Sequence, residues 1–443
     1  MDSLDQEQLE LLFYLFPMLL VFIIYLTKYQ KKQSKSIKIL EENVQAGLTE
    51  PASLHPKINY SLCCGAGACI SACPEGDVLG LVNGKAELIN PTKCIGHGAC
   101  KTACPTNAIT LVFGTEKRGV EIPEINPQFE TTVPGIYIAG ELGGMGLIRN
   151  AVTQGTQAID AIAQAINKTA NNKVAQDMLD VVIIGAGPAG FAASLGAMEK
   201  KMNYLTIEQD SLGGTVAQFP RGKVVMTAPV ILPIVGKVKF TETTKETLIA
   251  FWKQVEQRTD VKISYREKME NIQPVDGGFV VTTTKGEYKT RKILLAIGRR
   301  GTPRKLGVEG EAKTKVVYSL IDPSQYQGKH VLVVGGGDSA LEAATSIAEE
   351  PGTTVTISYR SEAFGRAKQK NREKVAQFDK SGKLAVMMSS NIKKINNDTV
   401  VIDYQGQLHE IPNDGVIICA GGVLPTPFLK KIGIHVEAKY GTE

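Results

Sequence analysis

The sequence predicts an α/β protein with two βαβ domains, a small α+β domain and one N-terminal transmembrane helix. Three observations lead to this prediction: an uncharged apolar stretch near the N-terminus, seven closely spaced cysteines, and two strand–glycine turn–helix patterns. The 443 residues are enough for about three domains. The composition is globular, with 43% hydrophobic and 21% charged residues. The net charge of +5 is small, and because no nucleic-acid motif accompanies it, we expect no nucleic-acid partner.

The apolar stretch runs from Leu11 to Thr27 without a charge, which is the lower limit for crossing a bilayer as a helix. A buried core helix is disfavoured because the stretch has no polar face. A cleaved signal peptide is disfavoured because the leading residues are acidic. Lysines follow the stretch but none precedes it: Lys28, Lys31, Lys32, Lys35 and Lys38. The positive-inside rule therefore predicts a single-pass protein of the cytoplasmic membrane with its catalytic domains in the cytoplasm.

The first 28 residues are thus predicted to be the membrane anchor, and residues 29–56 a polar, flexible linker. Beyond the linker, seven of the eight cysteines lie between Cys63 and Cys104. Such tight clustering indicates metal ligation in a reducing compartment rather than disulfides.

The clustered cysteines form two similar runs, CCGAGACISACP at Cys63–Pro74 and CIGHGACKTACP at Cys94–Pro105. Each run resembles the bacterial ferredoxin pattern C-x2-C-x2-C-x3-C-P, which holds iron–sulfur clusters through thiolates. The resemblance implies a two-cluster ferredoxin-like domain over residues 57–113. In that fold the last cysteine of each run ligates the other cluster.

The two runs depart from the ferredoxin pattern at the second cysteine, which is Ala66 in the first run and His97 in the second. The resemblance then assigns Cys63, Cys69 and Cys104 to one cluster. It assigns Cys73, Cys94 and Cys100 to the other, with His97 as a candidate fourth ligand. Three thiolates suit a [3Fe–4S] cluster or a [4Fe–4S] cluster with a non-cysteine ligand. Three alternatives stay open: His97 as a plain loop residue, Cys64 as a ligand or a spare thiol, and zinc in place of iron.

The first glycine turn lies in DVVIIGAGPAG, where an apolar strand leads into Gly185, Gly187 and Gly190 and then a helix. The first glycine permits the tight turn, and the second lets the backbone approach a pyrophosphate at the helix N-terminus. The next strand ends in Glu208, placed to bond a ribose hydroxyl. These features predict a Rossmann-like dinucleotide domain.

A second copy, HVLVVGGGDSA, supplies Gly335, Gly337 and Ala340. The position equivalent to Glu208 is Ser358, and Arg360 and Arg366 follow it. Because the acid is missing and bases are present, this second Rossmann-like domain favours the 2′-phosphate of NADPH over NADH.

Two nucleotide folds in this order resemble the thioredoxin-reductase-like flavoproteins, in which the first binds FAD and the second binds NAD(P)H. Gly213–Gly214 and LLAIGRRGTPR at Leu294–Arg304 are further matches. The resemblance implies an FAD domain over 178–300, an NAD(P) domain over 301–413, a return to the FAD domain over 414–443, and a homodimer. The C-x-x-C of disulfide-reducing members is missing from Val317–Asp322, and Cys419 stands alone in an apolar strand where we expect it to be core. The closer resemblance is therefore to the ferredoxin–NADP reductases.

The flavin-facing segment that ends these flavoproteins occurs early in this chain. TTVPGIYIAGE at Thr131–Glu141 resembles it, and a helix follows. By this resemblance Gly140, Glu141, Arg149, Asn150 and Ala151 face the flavin. We therefore predict that residues 114–170 are a circularly permuted part of the FAD domain; an unrelated βα unit is the alternative. The short joint to the ferredoxin-like domain predicts clusters close to the flavin.

Together these patterns predict an enzyme, an oxidoreductase that passes electrons between NADPH or NADH and two iron–sulfur clusters through FAD. The membrane anchor predicts a membrane-associated or ferredoxin-like redox partner. The alternative function is a membrane-tethered redox sensor or scaffold that carries the same cofactors without turnover.

Overall fold

The computed structural model describes residues 6–45, 49, 51, 54–94, 96, 98–116, 119–144, 146–168, 178–226, 229–240, 242–299, 301–365 and 367–442. The chain divides into two compact units, one formed by Met1–Arg118 with Gly441–Glu443 and the other by Gly119–Tyr440. The first carries the cysteine runs, and the second carries both glycine turns.

The first unit is a small α+β domain preceded by a long helix. Its elements are α1 (Gln6–Gln45), β1 (His55–Ile58), α2 (Ala68–Ala72), β2 (Leu79–Val82), β3 (Lys85–Leu88), α3 (Ala99–Thr102) and β4 (Ile109–Val112). The first and last strands pair antiparallel, and β2 and β3 form a hairpin. The short helices α2 and α3 each begin inside a cysteine run, after Gly67 and Gly98, which adopt the left-handed conformation that glycine tolerates best.

Helix α1 is long and apolar enough to cross a membrane, by its length and composition. Its large apolar side chains between Phe13 and Leu26 are exposed, as a lipid-facing helix requires. The prediction of a flexible linker from residue 29 was wrong over residues 29–45, because the same helix continues to Gln45. The helix persists there because Ser36 and Asn43 are buried against the domain.

The N-terminal part of the second unit is a sheet flanked by helices. Its elements are β5 (Val120–Pro123), β6 (Ile136–Ile138), α4 (Ile148–Lys168), β7 (Leu179–Ile184), α5 (Pro188–Glu199), β8 (Tyr204–Ile207), β9 (Val224–Met226), β10 (Val230–Leu232), β11 (Gly236–Val238), β12 (Glu242–Thr244), α6 (Lys245–Thr259), β13 (Ile263–Ser264), β14 (Met269–Val275), β15 (Gly278–Thr283) and β16 (Glu287–Leu295). The strand order is β13–β8–β7–β16–β15–β14. Strand β6 joins the parallel side of the sheet beside β16, with Ile136 opposite Ile293.

Helices α4 and α5 pack tightly against each other on this sheet. The buried positions of α4 include Ala151, Gly155, Ile159 and Ile162, a spacing that places them on one helical face. A Cβ at Gly155 would lie 2.0 Å from the carbonyl oxygen of Ala189 in α5. The helices can approach this closely because residue 155 has no side chain.

The remaining elements build a second sheet and a strand meander. They are β17 (Thr302–Pro303), β18 (Val316–Val317), β19 (His330–Val334), α7 (Asp338–Ala348), β20 (Thr354–Ser358), α8 (Gln369–Lys380), β21 (Leu384–Met387), β22 (Ser390–Ile395), β23 (Thr399–Tyr404), β24 (Gln407–Pro412), β25 (Gly415–Ile418), β26 (Gly422–Val423), α9 (Thr426–Lys431) and β27 (Val436–Lys439). The parallel sheet has the order β18–β25–β19–β20–β21, and β22, β23 and β24 pair antiparallel.

Two features refine the predicted boundaries of the nucleotide domains. The return to the FAD domain was predicted to begin at residue 414, but β25 lies inside the second sheet between β18 and β19. All four of its residues are buried, so burial on both faces holds it there. The last strand, β27, pairs antiparallel with β5, with Val436 opposite Pro123.

Candidate cofactor sites

The first glycine turn has the geometry that a bound pyrophosphate requires. Gly185 has a φ of 101°, and a Cβ at Gly190 would lie 1.8 Å from the carbonyl oxygen of Gly185. A Cβ at Gly187, by contrast, would meet nothing within 4 Å. The turn is therefore packed against the protein at Gly185 and Gly190 and open at Gly187. Gly187 directly precedes the first turn of α5, where backbone N–H groups attract anions. These residues fit the diphosphate of a dinucleotide.

Glu208 follows β8 and is only 6% exposed. Its carboxylate accepts hydrogen bonds from the backbone N–H groups of Ala186, at 2.7 Å, and Asp210, at 2.9 Å. Burial raises the pKa of Glu208, and these hydrogen bonds oppose the rise. Each oxygen keeps acceptor capacity beyond its one bond, so the carboxylate fits the ribose role that its position predicts.

Two further predicted glycine segments meet the first turn. A Cβ at Gly214 would lie 3.2 Å from the Cα of Gly187, and one at Gly140 would lie 3.0 Å from the Cβ of Ala189. The N–H of Gly213 donates to the carbonyl of Ala186 at 2.9 Å. The structure thus brings the end of β6 and the Gly213–Gly214 turn to the same edge as the first glycine turn, around the start of α5.

The other residues predicted to face the flavin lie at or near the start of α4. Ala151 is buried, with its Cβ 3.7 Å from the position a Cβ would take at Gly140. Asn150 is half-buried, and Arg149 and Glu141 are exposed. Glu141 lines a large cavity together with Arg299, a residue that the sequence reasoning missed. Burial lowers the pKa of Arg299, and the nearby carboxylates of Glu141 and Glu121 oppose this.

The second glycine turn repeats the first. Gly335 has a φ of 141°, and a Cβ there would lie 2.4 Å from the carbonyl oxygen of Cys419. Ala340 is fully buried. A Cβ at Gly337 would meet nothing within 4 Å, and this residue directly precedes α7. The second turn is therefore also open where a diphosphate would lie.

The residues predicted to select the nicotinamide nucleotide differ in their surroundings. Ser358 is buried, and its hydroxyl lies 2.7 Å from that of Ser390. Arg360 is exposed at the rim of the large cavity. Arg366 lies outside the described residues. The position of the missing acid is thus occupied by Ser358, which pairs with Ser390 and carries no charge, and Arg360 lines the cavity nearby.

The large cavity, of about 870 Å³, extends from the neighbourhood of Glu141 to the second glycine turn. Its lining includes Glu141, Thr215 and Arg299 on one side and Gly335, Gly337 and Arg360 on the other. This volume is within the range of cofactor sites. Cys419, which was expected in the core, is half-buried and lines the cavity, because it follows the last buried residue of β25.

In the first unit, Cys63, Cys69 and Cys104 form the first thiol group. Burial raises the pKa of Cys69, and the negative charges of Cys100, Cys104 and Cys63 add to the rise. The N–H of Ala86 donates to Cys63 Sγ at 3.4 Å, and that of Ala108 to Cys104 Sγ at 3.2 Å. Backbone N–H groups thus already point at sulfur here, as cluster ligands require.

Cys73, Cys94 and Cys100 form the second thiol group and line one small hollow. Burial raises the pKa of Cys94 to about 11, and charges on Cys100, Cys73 and Glu75 contribute. Glu75 lines the same hollow; the sequence reasoning missed it, although it follows the Cys-Pro pair directly. His97 lies outside the described residues.

The spacing of these thiols bears on the type of metal. Among the described residues, no three His, Cys, Asp or Glu side chains are close enough to share a single ion. The thiolates of an iron–sulfur cluster bind different iron atoms and need not share a single ion, and the two groups fit this arrangement. Cys64 is exposed.

The comparisons with known proteins agree with this geometry. The pattern of the pyridine nucleotide-disulphide oxidoreductases matches residues 182–442, and that of a 4Fe-4S dicluster domain matches residues 55–105. The ferredoxin–NADP reductase of Acholeplasma laidlawii is 31% identical over 59% of this chain and 79% of its own length. That of Ignicoccus hospitalis is 27% identical over 59% of this chain and 83% of its own. The solved bacillithiol disulfide reductase of Staphylococcus aureus, at 24% identity, has a TM-score of 0.52 over 59% of this chain and 82% of its own.

The fold and its two open glycine turns define a flavoprotein oxidoreductase that uses FAD and NAD(P)H. The chain belongs to the pyridine nucleotide-disulphide oxidoreductase family, among relatives of the ferredoxin–NADP reductase type, and it carries a 4Fe-4S ferredoxin domain in addition.

Proposed function

We propose that this protein is a membrane-anchored oxidoreductase that passes electrons between NADPH and two iron–sulfur clusters by way of FAD. The observation that carries the proposal is the pairing of two thiol groups, Cys63–Cys69–Cys104 and Cys73–Cys94–Cys100, with a ferredoxin–NADP reductase fold on one chain. In this arrangement the chain carries its own ferredoxin. A membrane-associated or ferredoxin-like partner exchanges electrons with the clusters.

The cavity of the second unit supports a direct meeting of the two nucleotides. It extends from Glu141 and Arg299 to the second glycine turn. FAD, when bound, converts the two-electron chemistry of NADPH into one-electron chemistry. The residues of the chain bind and orient: the open turns at Gly187 and Gly337 receive the diphosphates, and Glu208 holds a ribose.

We propose further that residues 114–170 complete the FAD domain in permuted order. Strand β6 pairs with β16 in the FAD sheet, and Gly140 lies against the first turn of α5. The family pattern, which is read in chain order, begins only at residue 182, as expected if this segment stands before its usual place. The pairing of β27 with β5 brings the end of this unit to the start of the segment. A circular permutation is tolerated where two chain ends lie this close together.

NADPH is preferred over NADH in this proposal. Ser358 shares a hydrogen bond with Ser390 and brings no carboxylate that would repel a 2′-phosphate. Arg360 at the cavity rim supplies a positive charge, and Arg366 would add a second. The cluster types, [4Fe–4S] or [3Fe–4S], follow from whether a fourth ligand joins each thiol group.

Anchoring in the cytoplasmic membrane rests on α1, whose large apolar side chains from Phe13 to Leu26 are exposed and are followed by lysines. The positive-inside rule then puts both units in the cytoplasm. A homodimer remains an expectation from the family resemblance.

Reductive titration of the full-length protein, purified anaerobically in detergent, tests the proposal. We expect bound FAD, iron and sulfide, and clusters that NADPH reduces to an EPR-active state. Clusters that stay oxidised with both NADPH and NADH would contradict it, and negligible turnover with an artificial one-electron acceptor would favour a sensor.

Two cysteine variants provide a matched comparison. Cys100→Ser should remove the EPR signal of the second cluster, because this buried thiol lines its hollow. Cys64→Ser should leave both signals unchanged, because its thiol is exposed. Loss of a cluster in the Cys64 variant would show that the ligand assignment is wrong.

A further inference from the structure

The C-terminal half of α1 packs against the ferredoxin domain. The side-chain amide of Asn43 donates to the carbonyl of Ile89 at 3.0 Å, and Lys35 pairs with Asp77 at 2.8 Å. Ser36 and Asn43 are 8% and 7% exposed. The helix that leaves the apolar stretch is therefore part of the domain.

The helix lies directly on the β2–β3 hairpin. A Cβ at Gly80 would lie 2.5 Å from Ser36 Oγ and 2.7 Å from Ser36 Cβ. Contact this close holds only while residue 80 has no side chain. The hairpin and the helix therefore move as one body.

The hairpin points its tip toward the apolar stretch. The hairpin base lies beside Ser36 and Asn43, through Gly80 and Ile89. At the tip, the Tyr29 hydroxyl is 3.9 Å from the position of a Cβ at Gly84. Tyr29 is two residues beyond Thr27, where the apolar stretch ends.

The same tip touches the loop of the first thiol group. A Cβ at Gly65 would lie 2.1 Å from the carbonyl oxygen of Gly84. The ammonium of Lys85 donates to the carbonyl of Cys63 at 2.5 Å. The first thiol group is thus attached at the tip of the hairpin.

The second thiol group lies at the opposite end of the hairpin. Its hollow is lined by Val78 and Leu79 at the hairpin base. Strand β2 runs from Leu79 to Val82, about 10 Å along a strand, and Gly84 lies in the turn beyond its end. The two groups are therefore arranged along the hairpin, with the first nearer the apolar end of α1.

Exposed apolar side chains stand beside the first thiol group. Leu62, directly before Cys63, is 51% exposed, and Tyr60 is 50% exposed. The Tyr60 hydroxyl donates to Glu87 at 2.5 Å, which holds the loop against the hairpin. A tyrosine ring is typical of residues at a membrane interface, and Lys85 at the hairpin tip adds a positive charge beside this loop.

We propose that the loop Tyr60–Gly65 and the hairpin tip Asn83–Lys85 rest on the lipid headgroups beside the exit of α1. This inference depends on the membrane anchoring proposed above. It makes the first thiol group the membrane-side cluster, facing any redox partner within the bilayer, and leaves the second group further from the lipid.

Photo-crosslinking of the full-length holoprotein in phospholipid nanodiscs tests the inference. Three variants each carry p-benzoylphenylalanine: Phe22→p-benzoylphenylalanine in the apolar helix, Leu62→p-benzoylphenylalanine in the loop, and Val44→p-benzoylphenylalanine at the far end of α1. Leu62 and Val44 are matched in exposure, at 51% and 55%. Each variant is used after its iron–sulfur absorbance has been shown to match the parent. The readout is covalent lipid adduct per protein.

We expect adducts at position 22, and about tenfold more adducts at position 62 than at 44, because Val44 lies about 22 Å beyond Tyr29 along the helix. Adducts at 22 with no excess at 62 over 44 would overturn the docking while leaving the anchor intact. An absence of adducts at 22 would overturn the anchor, and the docking with it. Gly80→Leu, which forces the helix off the hairpin, should lower the yield at 62 and leave that at 22 unchanged.

Discussion

Gly155→Ala tests whether the segment before the first glycine turn belongs to the FAD domain. A Cβ at Gly155 would lie 2.0 Å from the carbonyl oxygen of Ala189, whereas ordinary contact begins at 3.4 Å. The two helices must therefore separate by about 1.4 Å, the difference of these distances. The opposing group is backbone in the first turn of α5, so no side-chain rotation can relieve the contact.

The magnitude follows from two opposing effects. Overpacking a close contact costs about 1–3 kcal/mol, and replacing glycine by alanine inside a helix stabilises by about 1 kcal/mol. Because the opposing atom is backbone, we take the upper end of that cost and expect a net loss of about 2 kcal/mol, which lowers Tm by about 4–8 °C in a domain of this size. FAD should bind more weakly as well, because Gly140 lies between Ala189 and Ala151 and the separation moves both.

Thermal unfolding and FAD titration of the purified protein measure these effects. Gly286→Ala is the control, because it makes the same substitution at a position where the new Cβ would meet nothing within 4 Å. The control should keep the parent Tm and FAD affinity. If Gly155→Ala behaves like the control, α4 does not pack on α5 as described.

Three further predictions address the second cluster, the choice of nucleotide and the loss of stability in acid. Glu75→Gln should raise the midpoint potential of the second cluster in an EPR-monitored redox titration, because it removes a negative charge from the hollow of the second thiol group. Glu87→Gln, in the hairpin, is the control and should leave that potential unchanged. Equal shifts in the two variants would contradict the placement of Glu75 beside the second cluster. Arg360→Gln should raise KM for NADPH about tenfold and leave KM for NADH unchanged, because a charged hydrogen bond is worth about 1.5–3 kcal/mol. The control is Lys329→Gln, which lies outside the cavity lining. An equal rise in KM for both nucleotides would exclude a contact between Arg360 and the 2′-phosphate. Burial alone would raise the pKa of Glu311, but hydrogen bonds from the backbone of Leu306 and Gly307 and from Tyr318 lower it. A carboxylate with a lowered pKa stabilises the folded state above the unfolded pKa of about 4.3, and this stability is lost as pH falls through the folded value. Thermal unfolding measured between about pH 3 and 7 should therefore show Tm falling more steeply with acid for the parent than for Glu311→Gln. Parallel curves of Tm against pH would contradict this.

The local chemistry of the sites could be predicted from the sequence. The glycines at 185, 187 and 190 provide a tight turn, an open approach for a diphosphate and a close backbone contact. All three requirements fall within six consecutive residues, so the sequence pattern alone reveals them. The cysteine runs are similar, since a cluster is wrapped by a short loop and its ligand spacing is visible in the sequence.

Contacts between distant segments could not be predicted in this way. The buried positions Ser36 and Asn43 follow a helical spacing, but their polar side chains gave no sign that a hairpin covers them. Glu75 was missed because its place beside Cys94 depends on the meeting of two runs. Cys419 was expected in the core because its strand is apolar, yet it lies one residue past the buried stretch and lines the cavity.

The sequence by itself determined the cofactor classes of this protein, because each depends on residue types at fixed short spacings. Only the tertiary structure decided that β25 lies between β18 and β19, that Glu75 lies in the hollow beside Cys94, and that α1 lies on the ferredoxin domain. These depend on segments far apart in the chain, which meet because they bury complementary surfaces. Whether two surfaces are complementary depends on both segments, so it cannot be inferred from the sequence of either segment alone.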